Sequence, residues 1–274
     1  MIERVEADDV RLRWYAGVRD PVLLREGGRF VAEGRLIVAR LLEQPEWVVE
    51  SVLVSDSALA ALRDVVDRRP DVLTFVLPAE ALAAIAGFNV HRGCLAIGRR
   101  RPLPSLSTLV AGAEQGPIRL LGLEGLVDAD NVGACFRNAA ALGAHAVVLD
   151  ARCADPLYRK AIRTSMGASL RVPYTRISDW LEGVAWLSSI RVTTVALTPA
   201  PDADASAGVS RQLSAASRLA LLVGSEGSGL TPRVQRACDH RVRIEMMPGE
   251  DSLNVATAAA IALHGFAGDA RRGS

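Results

Sequence analysis

The chain has 274 residues, half of them hydrophobic, and its formal net charge is +1. This length suits one large or two modest domains, and the charge excludes a polycation that binds nucleic acid through bulk charge alone. The four cysteines form no CxxC pair. We therefore expect reduced thiols in the cytoplasm, with neither disulfides nor a metal site. The charged N-terminus is unlike a signal peptide, and no apolar segment suits a bilayer, so no membrane attachment is expected.

The first part of the chain predicts a small α/β domain. We expect residues 1–20 to be an N-terminal extension and residues 21–98 to be the domain. Apolar spacing and turn residues in this region predict a helix at 29–44, a strand at 48–56, a helix at 58–68, a strand at 74–78, a helix at 78–87 and a strand at 91–98. The Pro-, Gly- and Ser-rich residues 99–117 are predicted to be a linker.

Strands alternate with helices from residue 118 onward. Strands are predicted at 118–126, 145–150, 192–199, 219–226 and 240–246, and helices at 131–143, 155–168 and 252–266. Asp155 and Pro156 resemble a helix cap followed by a proline at the first helical position, and Gly143 is expected to end its helix. The all-apolar strands predict a mainly parallel sheet that is buried on both faces.

Three polar clusters interrupt this pattern. Asn131 opens a helix, and Arg137 lies six residues further on. GSEGSGL, residues 224–230, follows the apolar run LALLV and holds one carboxylate, Glu226, among three glycines. The last helix begins near Ser252 and Asn254, with Ser252 as the expected N-cap. Each cluster alone also fits a plain helix cap or an ordinary glycine-rich turn.

A dinucleotide fingerprint is a second interpretation of GSEGSGL, because Glu245 follows about 20 residues later, as a ribose-binding acid would. That fingerprint requires G-x-G-x-x-G, whereas this chain has G-x-x-G-x-G. A nicotinamide-dependent dehydrogenase is therefore disfavoured.

Together, and in this order, N-x-G-x-x-x-R, G-x-E-G-x-G-L and S-L-N-V resemble the motifs of the SpoU/TrmH branch of the SPOUT RNA methyltransferases. The resemblance covers about residues 118–266, and RTSMGA (163–168) is similar to the segment between the first two motifs. Residues 21–98 resemble the ribosomal-protein-like substrate-binding domain common in this family. The chain departs from the usual motifs at Ala129, Ser225 and Glu245, where Pro, Asn and Pro are common.

The resemblance implies an α/β fold whose C-terminal half is a deep trefoil knot that binds S-adenosylmethionine. It implies methyl transfer to a ribose 2′-hydroxyl of ribosomal or transfer RNA. The implied catalytic residues are Arg137, Asn131, Glu226, Ser252 and Asn254. The implied cofactor-contacting residues are Leu197, Gly224, Glu226, Gly229, Ile244, Met246, Ser252 and Leu253, with the glycines expected to admit the cofactor close to the backbone.

Partners are also implied. Arg92, Arg99, Arg100 and Arg101 cluster in sequence where the first domain meets the linker, and we expect them to contact RNA phosphates; a solvated basic linker is the alternative. Family members are homodimers, and the alanine-rich last helix could pack against a second copy or within one subunit. A catalytically idle RNA-binding protein that retains the fold is the main alternative, and the joint presence of the polar motif residues argues against it.

Overall fold

The computed structural model describes residues 1–17, 20–87, 90–111 and 117–266. Within these residues the strands are β1 (Ile2–Arg4), β2 (Arg29–Glu33), β3 (Val49–Val54), β4 (Leu73–Val76), β5 (Cys94–Arg99), β6 (Ile118–Glu124), β7 (Ala146–Asp150), β8 (Tyr174–Ile177), β9 (Thr193–Leu197), β10 (Asp204–Ala205), β11 (Arg218–Gly224) and β12 (His240–Arg243). The helices of the same residues are α1 (Asp20–Gly27), α2 (Arg35–Leu42), α3 (Asp56–Asp67), α4 (Ala79–Ala86), α5 (Leu106–Ala111), α6 (Ala129–Leu142), α7 (Arg159–Thr164), α8 (Trp180–Ser189), α9 (Ser206–Ala215), α10 (Pro232–Ala237) and α11 (Val255–Gly265).

The chain divides into two compact units, and the first contains residues 1–102 and 156–170. Its sheet has the order β1-β4-β3-β5-β2; β4 is parallel to β1 and β3, whereas β5 is antiparallel to β3 and β2. Successive residues of a strand face opposite sides of a sheet. Val52 accordingly joins one hydrophobic cluster and Leu53 another, so both faces of this sheet are covered.

The beginning of this unit differs from the prediction in two places. The predicted helix at 29–44 is wrong over its first turn, because residues 29–33 form β2 and pair with β5. Gly34, at φ 94°, then turns the chain into α2. Residues 2–4 of the expected extension form an edge strand that pairs with β4.

Residues 156–170 also belong to the first unit, although the sequence places them within the second domain. Leu157, Ile162 and Leu170 are buried in the core of the first unit. The Trp47 indole Nε1 donates a hydrogen bond of 2.9 Å to the Leu170 carbonyl oxygen. The predicted helix start at Asp155 is wrong, because α7 begins after Tyr158.

The second unit contains residues 103–155 and the chain from Arg171 onward. Its seven described strands have the order β10-β12-β9-β11-β6-β7-β8, and every pair is parallel. The predicted α/β class with a mainly parallel sheet is therefore confirmed, whereas the trefoil knot stays a prediction. No helix in the described part of the chain is long and apolar enough to cross a membrane.

Part of the expected linker is structured within the second unit. Residues 106–111 form α5, whose Val110 is buried in the core of this unit. The Thr175 hydroxyl donates to the Pro104 carbonyl oxygen at 2.5 Å. Residues 112–116 of the expected linker lie outside the described residues.

Candidate active site

A cavity of about 520 Å³ lies in the second unit, where β9 and β11 end. Open parallel sheets bind ligands at the carboxyl ends of their strands. All eight residues predicted to contact the cofactor line this cavity, namely Leu197, Gly224, Glu226, Gly229, Ile244, Met246, Ser252 and Leu253. The cavity volume falls in the range of roughly 300–1,000 Å³ that is usual for small-molecule sites.

One wall of the cavity is the glycine loop, residues 224–230. A Cβ atom added to Gly224 would lie 2.0 Å from the Gly229 carbonyl carbon and from the Leu230 nitrogen. Ser225 and Gly229 form an isolated antiparallel bridge, in which the Gly229 N–H donates to the Ser225 carbonyl oxygen at 2.9 Å. Gly224 is therefore required because the loop folds back on its own backbone. The expected reason for a glycine here was different, namely the close approach of a cofactor to the backbone.

The end of the glycine loop is anchored to the neighbouring strand by a buried carboxylate. Glu124, the last residue of β6, accepts hydrogen bonds from the Thr231 N–H at 2.8 Å and from the Thr231 hydroxyl at 3.0 Å. Arg152 also donates to it, at 3.3 Å. Buried carboxylates are stable only when they are paired and hydrogen-bonded. Glu124 was not among the predicted site residues, although a carboxylate at the end of the apolar run LLGLE is a detectable signal.

The adjacent loop after β7 is organised by Asp150. Burial alone would raise the pKa of this carboxyl group. Hydrogen bonds from Cys153, from the Gly125 N–H and from Arg152 have the opposite and larger effect, so the pKa is lowered. Asp150 therefore stays ionised near neutral pH and ties the loops after β6 and β7 together.

The second wall is the C-terminal loop, residues 244–254. Ile244 and Met246 line the cavity, whereas the side chain of Glu245 binds the start of α9. Its carboxylate accepts from the Ser206 hydroxyl at 2.7 Å and from the Ala207 N–H at 3.2 Å. The hydrogen bond from Ser206 is the main reason why the pKa of Glu245 is lowered. This departure from the family motif therefore supplies a helix cap.

A chain of hydrogen bonds joins the three motifs at the cavity. The Asn131 amide Nδ2 donates to the Glu226 carboxylate. The Asn254 Nδ2 donates to the Asn131 Oδ1 at 3.0 Å. Asp128 caps α6 by accepting from the Asp130 N–H, so the Asn131 side chain is not used as the cap. Asn131 and Asn254 are 123 positions apart in the sequence, so only the folded chain brings these side chains together.

The cap of the last helix differs from the prediction. Ser252 was expected to cap α11, but Asn254 occupies that position and accepts from the Ala256 N–H at 3.0 Å and the Thr257 N–H at 3.3 Å. Asn254 thus uses its oxygen for the helix and its Nδ2 for Asn131. Ser252 is exposed and lines the cavity.

Arg137 lies on α6 and does not line the cavity. Six residues at about 100° each place it roughly 120° around the helix from Asn131. Its side chain is exposed, and no ion pair or hydrogen bond links the Arg137 guanidinium to another described residue. The structure therefore joins Asn131, Glu226 and Asn254, and leaves Arg137 outside that group.

The four arginines expected to contact RNA do not form one cluster in the first unit. Arg92 lies in the turn before β5, at φ 58°, and Arg99 ends the strand, so the five extended steps of β5 alone put about 17 Å between the two ends. Arg99 pairs with Glu50, and the Arg101 guanidinium stacks 4.0 Å from the centre of the Trp47 ring. Arg99, Arg100 and Arg101 stay together at the end of the strand, and Arg92 is remote from them.

The cavity also has lining residues that none of the motifs predicted. These are Thr198, Pro199, Ala200, Pro201, Val223, Ser225, Gly227, Ser228, Gln235, Asp251, Val255 and Ala258. Asp251 directly precedes Ser252 and could have been found by its place in the third motif. Gln235 lies on α10, and its place in the sequence carries no comparable signal.

Comparison with known proteins places this site in a family. The profile of the SpoU rRNA Methylase family matches residues 119–264, which include all three polar motifs. The chain belongs to the SpoU rRNA methylase family. A Mycobacterium bovis protein named uncharacterized tRNA/rRNA methyltransferase is 41% identical over 272 residues, covering 94% of this chain and 89% of the relative. A 23S rRNA (guanosine-2′-O-)-methyltransferase of Bordetella pertussis is 31% identical, covering 83% and 92%.

Solved structures show the same fold as this SpoU-family chain. An rRNA methyltransferase from Sinorhizobium meliloti, bound to AdoMet, has a TM-score of 0.77 at 22% identity and covers 97% of both chains. The SpoU methyltransferase AviRb from Streptomyces viridochromogenes, in complex with AdoMet, has a TM-score of 0.76 at 21% identity; 94% of this chain and 97% of AviRb are covered.

Proposed function

We propose that this protein transfers a methyl group from S-adenosylmethionine to a ribose 2′-hydroxyl of ribosomal or transfer RNA. The observation that carries the proposal is the hydrogen-bonded set of Asn131, Glu226 and Asn254 beside the cavity. These side chains come from the three family motifs and meet only in the folded chain. Because all three side chains are present and hydrogen-bonded to one another, the catalytically idle alternative is disfavoured.

The cavity fits S-adenosylmethionine by its chemistry. Leu197, Val223, Ile244 and Leu253 supply an apolar lining suited to an adenine ring. Gly224, Gly227 and Gly229 of the glycine loop line the same space and add no side chains to it. The carboxylates of Glu226 and Asp251 suit a ligand that carries positive charge. When bound, the sulfonium of this cofactor supplies an electrophilic methyl group.

The side chains at the cavity have to orient a ribose and stabilise its oxygen as it loses a proton. We assign Arg137 to the RNA phosphate and the 2′-oxygen, because a guanidinium stays protonated in proteins and serves as an electrostatic clamp rather than a general base. Asn131, Glu226, Ser252 and Asn254 would orient the ribose, which is catalysis by positioning. The exposed position of Arg137 on α6 leaves it accessible to RNA.

RNA binding in the first unit is assigned to Arg99, Arg100 and Arg101, with Arg92 as a separate contact. Arg101 is held by stacking on Trp47, which orients its planar group without neutralising it. Phosphate contacts of this kind fix the position of an RNA without reading its sequence.

We also propose that the protein is a homodimer in the cytoplasm. The buried Ala256, Ala259 and Ala262 show that one side of α11 packs within the subunit, and the Asn138 Nδ2 donates to the Ala256 carbonyl oxygen at 2.7 Å. Met247 and Ile261 remain 78% and 43% exposed, and such apolar side chains could pack against a second copy. The four free thiols support a reducing compartment.

The test compares Arg137→Ala with Arg236→Ala, an exposed helical arginine that does not line the cavity. Loss of one electrostatic contact to the reacting oxygen typically lowers kcat about 100-fold or more. We expect that loss in Arg137→Ala, measured as methyl transfer to ribosomal and transfer RNA, with cofactor affinity by calorimetry changed less than about twofold. Arg236→Ala should keep its activity.

Full activity in Arg137→Ala would refute the assigned role, and failure of the unaltered protein to bind S-adenosylmethionine would favour the idle alternative. Mapping of 2′-O-methyl sites in total RNA, from cells with and without the protein, identifies the modified nucleotide.

A further inference from the structure

The ionisable side chains that line the cavity, among the described residues, are both acidic. They are Glu226 of the glycine loop and Asp251 of the C-terminal loop. No arginine, lysine or histidine of the described residues lines this space. The chain as a whole carries nearly balanced charge, so the acidic lining is a local property of the cavity.

Neither carboxylate is neutralised within the described residues. No ion pair joins Glu226 or Asp251 to a basic side chain in this part of the chain. Glu226 accepts a hydrogen bond from the Asn131 amide, which is an uncharged donor and leaves the negative charge in place. The cavity therefore holds two uncompensated negative charges.

The reaction in the proposed function removes one positive charge from the ligand. The bond between sulfur and methyl breaks with its electron pair left on sulfur, the bond between the ribose oxygen and the methyl forms, and the hydroxyl proton is released. The donor has a sulfonium, an ammonium and a carboxylate, for a net charge of +1. The thioether product has only the ammonium and the carboxylate, for a net charge of zero.

We propose that Asp251, together with Glu226, makes this cavity bind the sulfonium donor in preference to the neutral thioether product. This inference rests on the proposed function and adds a specificity-determining residue to it. The thioether product, S-adenosylhomocysteine, fills almost the same volume as the donor, so shape alone discriminates weakly between the two ligands. The two ligands differ more in charge than in shape. A negatively charged cavity would therefore favour replacement of the bound product by a new molecule of the donor.

The expected effect of the two carboxylates on donor affinity is small, because both side chains are exposed to solvent. Asp251 and Glu226 are both exposed, so solvent screens their attraction for a cation. A screened pair of this kind changes an affinity by about two- to fivefold. The selectivity should also weaken at high salt, because the Debye length falls from about 10 Å at 0.1 M to about 3 Å at 1 M.

Glu250 provides a matched control. It lies next to Asp251 in the same loop, is exposed and carries the same charge, but it does not line the cavity. Calorimetry would measure the Kd of S-adenosylmethionine and of S-adenosylhomocysteine for the unaltered protein, Asp251→Asn and Glu250→Gln. Asp251→Ser would serve as a second neutral variant, and thermal melting would verify that all variants are folded.

We expect Asp251→Asn to weaken donor binding about three- to fivefold and product binding less than twofold, whereas Glu250→Gln should leave the ratio of the two affinities unchanged. An unchanged ratio in both Asp251 variants would overturn the inference, as would an equal change in Glu250→Gln. If the unaltered protein bound neither ligand, the proposed function would fail as well. Binding of both ligands with no effect of Asp251 would overturn only this inference.

Discussion

The two loops that border the cavity are held in different ways. The glycine loop is fixed along its length by its own backbone and by the anchor between Thr231 and Glu124. The C-terminal loop is held mainly at its two ends, where Glu245 caps α9 and Asn254 caps α11. Residues 247–252 between these ends are exposed. One wall of the cavity therefore depends on backbone packing, and the other depends on two side-chain caps.

The largest effect on stability and cofactor binding is expected at Gly224, because the glycine loop packs most tightly against its own backbone there. In Gly224→Ala the new Cβ would overlap the backbone of Gly229 and Leu230, and no flexible side chain is available to move aside. We expect about 3 kcal/mol of destabilisation and roughly 100-fold weaker cofactor binding, measured by thermal melting and calorimetry.

Gly249→Ala is the matched control in the other loop. Gly249 has φ 99°, and nothing lies within 4 Å of an added Cβ. Only backbone strain of about 1 kcal/mol is expected there. Equal effects of the two substitutions on cofactor binding would show that the two loops are not held differently.

A second, smaller effect is expected at Asn254, which has two roles. Asn254→Ala removes the cap and the donor to Asn131, at a cost of about 1 kcal/mol in stability. Asn254→Asp keeps an oxygen for the cap but has no amide to donate to Asn131 in its ionised form. We therefore expect Asn254→Asp to melt like the unaltered protein and to lose methyl transfer. Retained activity in Asn254→Asp would show that the bond to Asn131 is dispensable.

The smallest effect is expected at Glu245, and it should depend on pH. Because hydrogen bonding lowers the pKa of Glu245, its contribution to stability is complete above the ordinary glutamate value of about 4.3 and is lost as the pH falls through the lowered value. After solvent screening we expect at most about 0.5 kcal/mol at pH 7 from Glu245→Gln, and less at about pH 3. Melting at both pH values tests this. A difference that grows on acidification would contradict the assigned cap.

Much of the fold could be predicted because it depends on local pattern. The apolar runs at 118–126 and 219–226 became the adjacent central strands β6 and β11, since a strand buried on both faces has to be apolar throughout. Residues 29–33 were mispredicted because RFVAE fits the helical spacing of the residues that follow. Pairing with β5 decided the outcome there, and that partner is more than 60 residues away.

The candidate site was predicted in composition but not in arrangement. The residues expected at the cofactor cavity do line it, but the motifs could not distinguish a residue that lines a cavity from one that caps a helix. Glu245 and Asn254 show this ambiguity, because the same polar side chains suit both uses. The place of Asp251 beside the third motif is visible in the sequence, but its significance depends on which other charges line the same cavity, and only the folded chain shows that.

The sequence by itself determined the parallel α/β class, the three motifs and the membership of the chain in its family, because these depend on residue type and short spacing. The tertiary structure decided why Gly224 must be glycine, which segment completes the first unit and which side chains meet at the cavity. These depend on contacts between residues that are near in space and distant in the chain. A local sequence pattern does not specify such contacts, because they form only when the backbone folds.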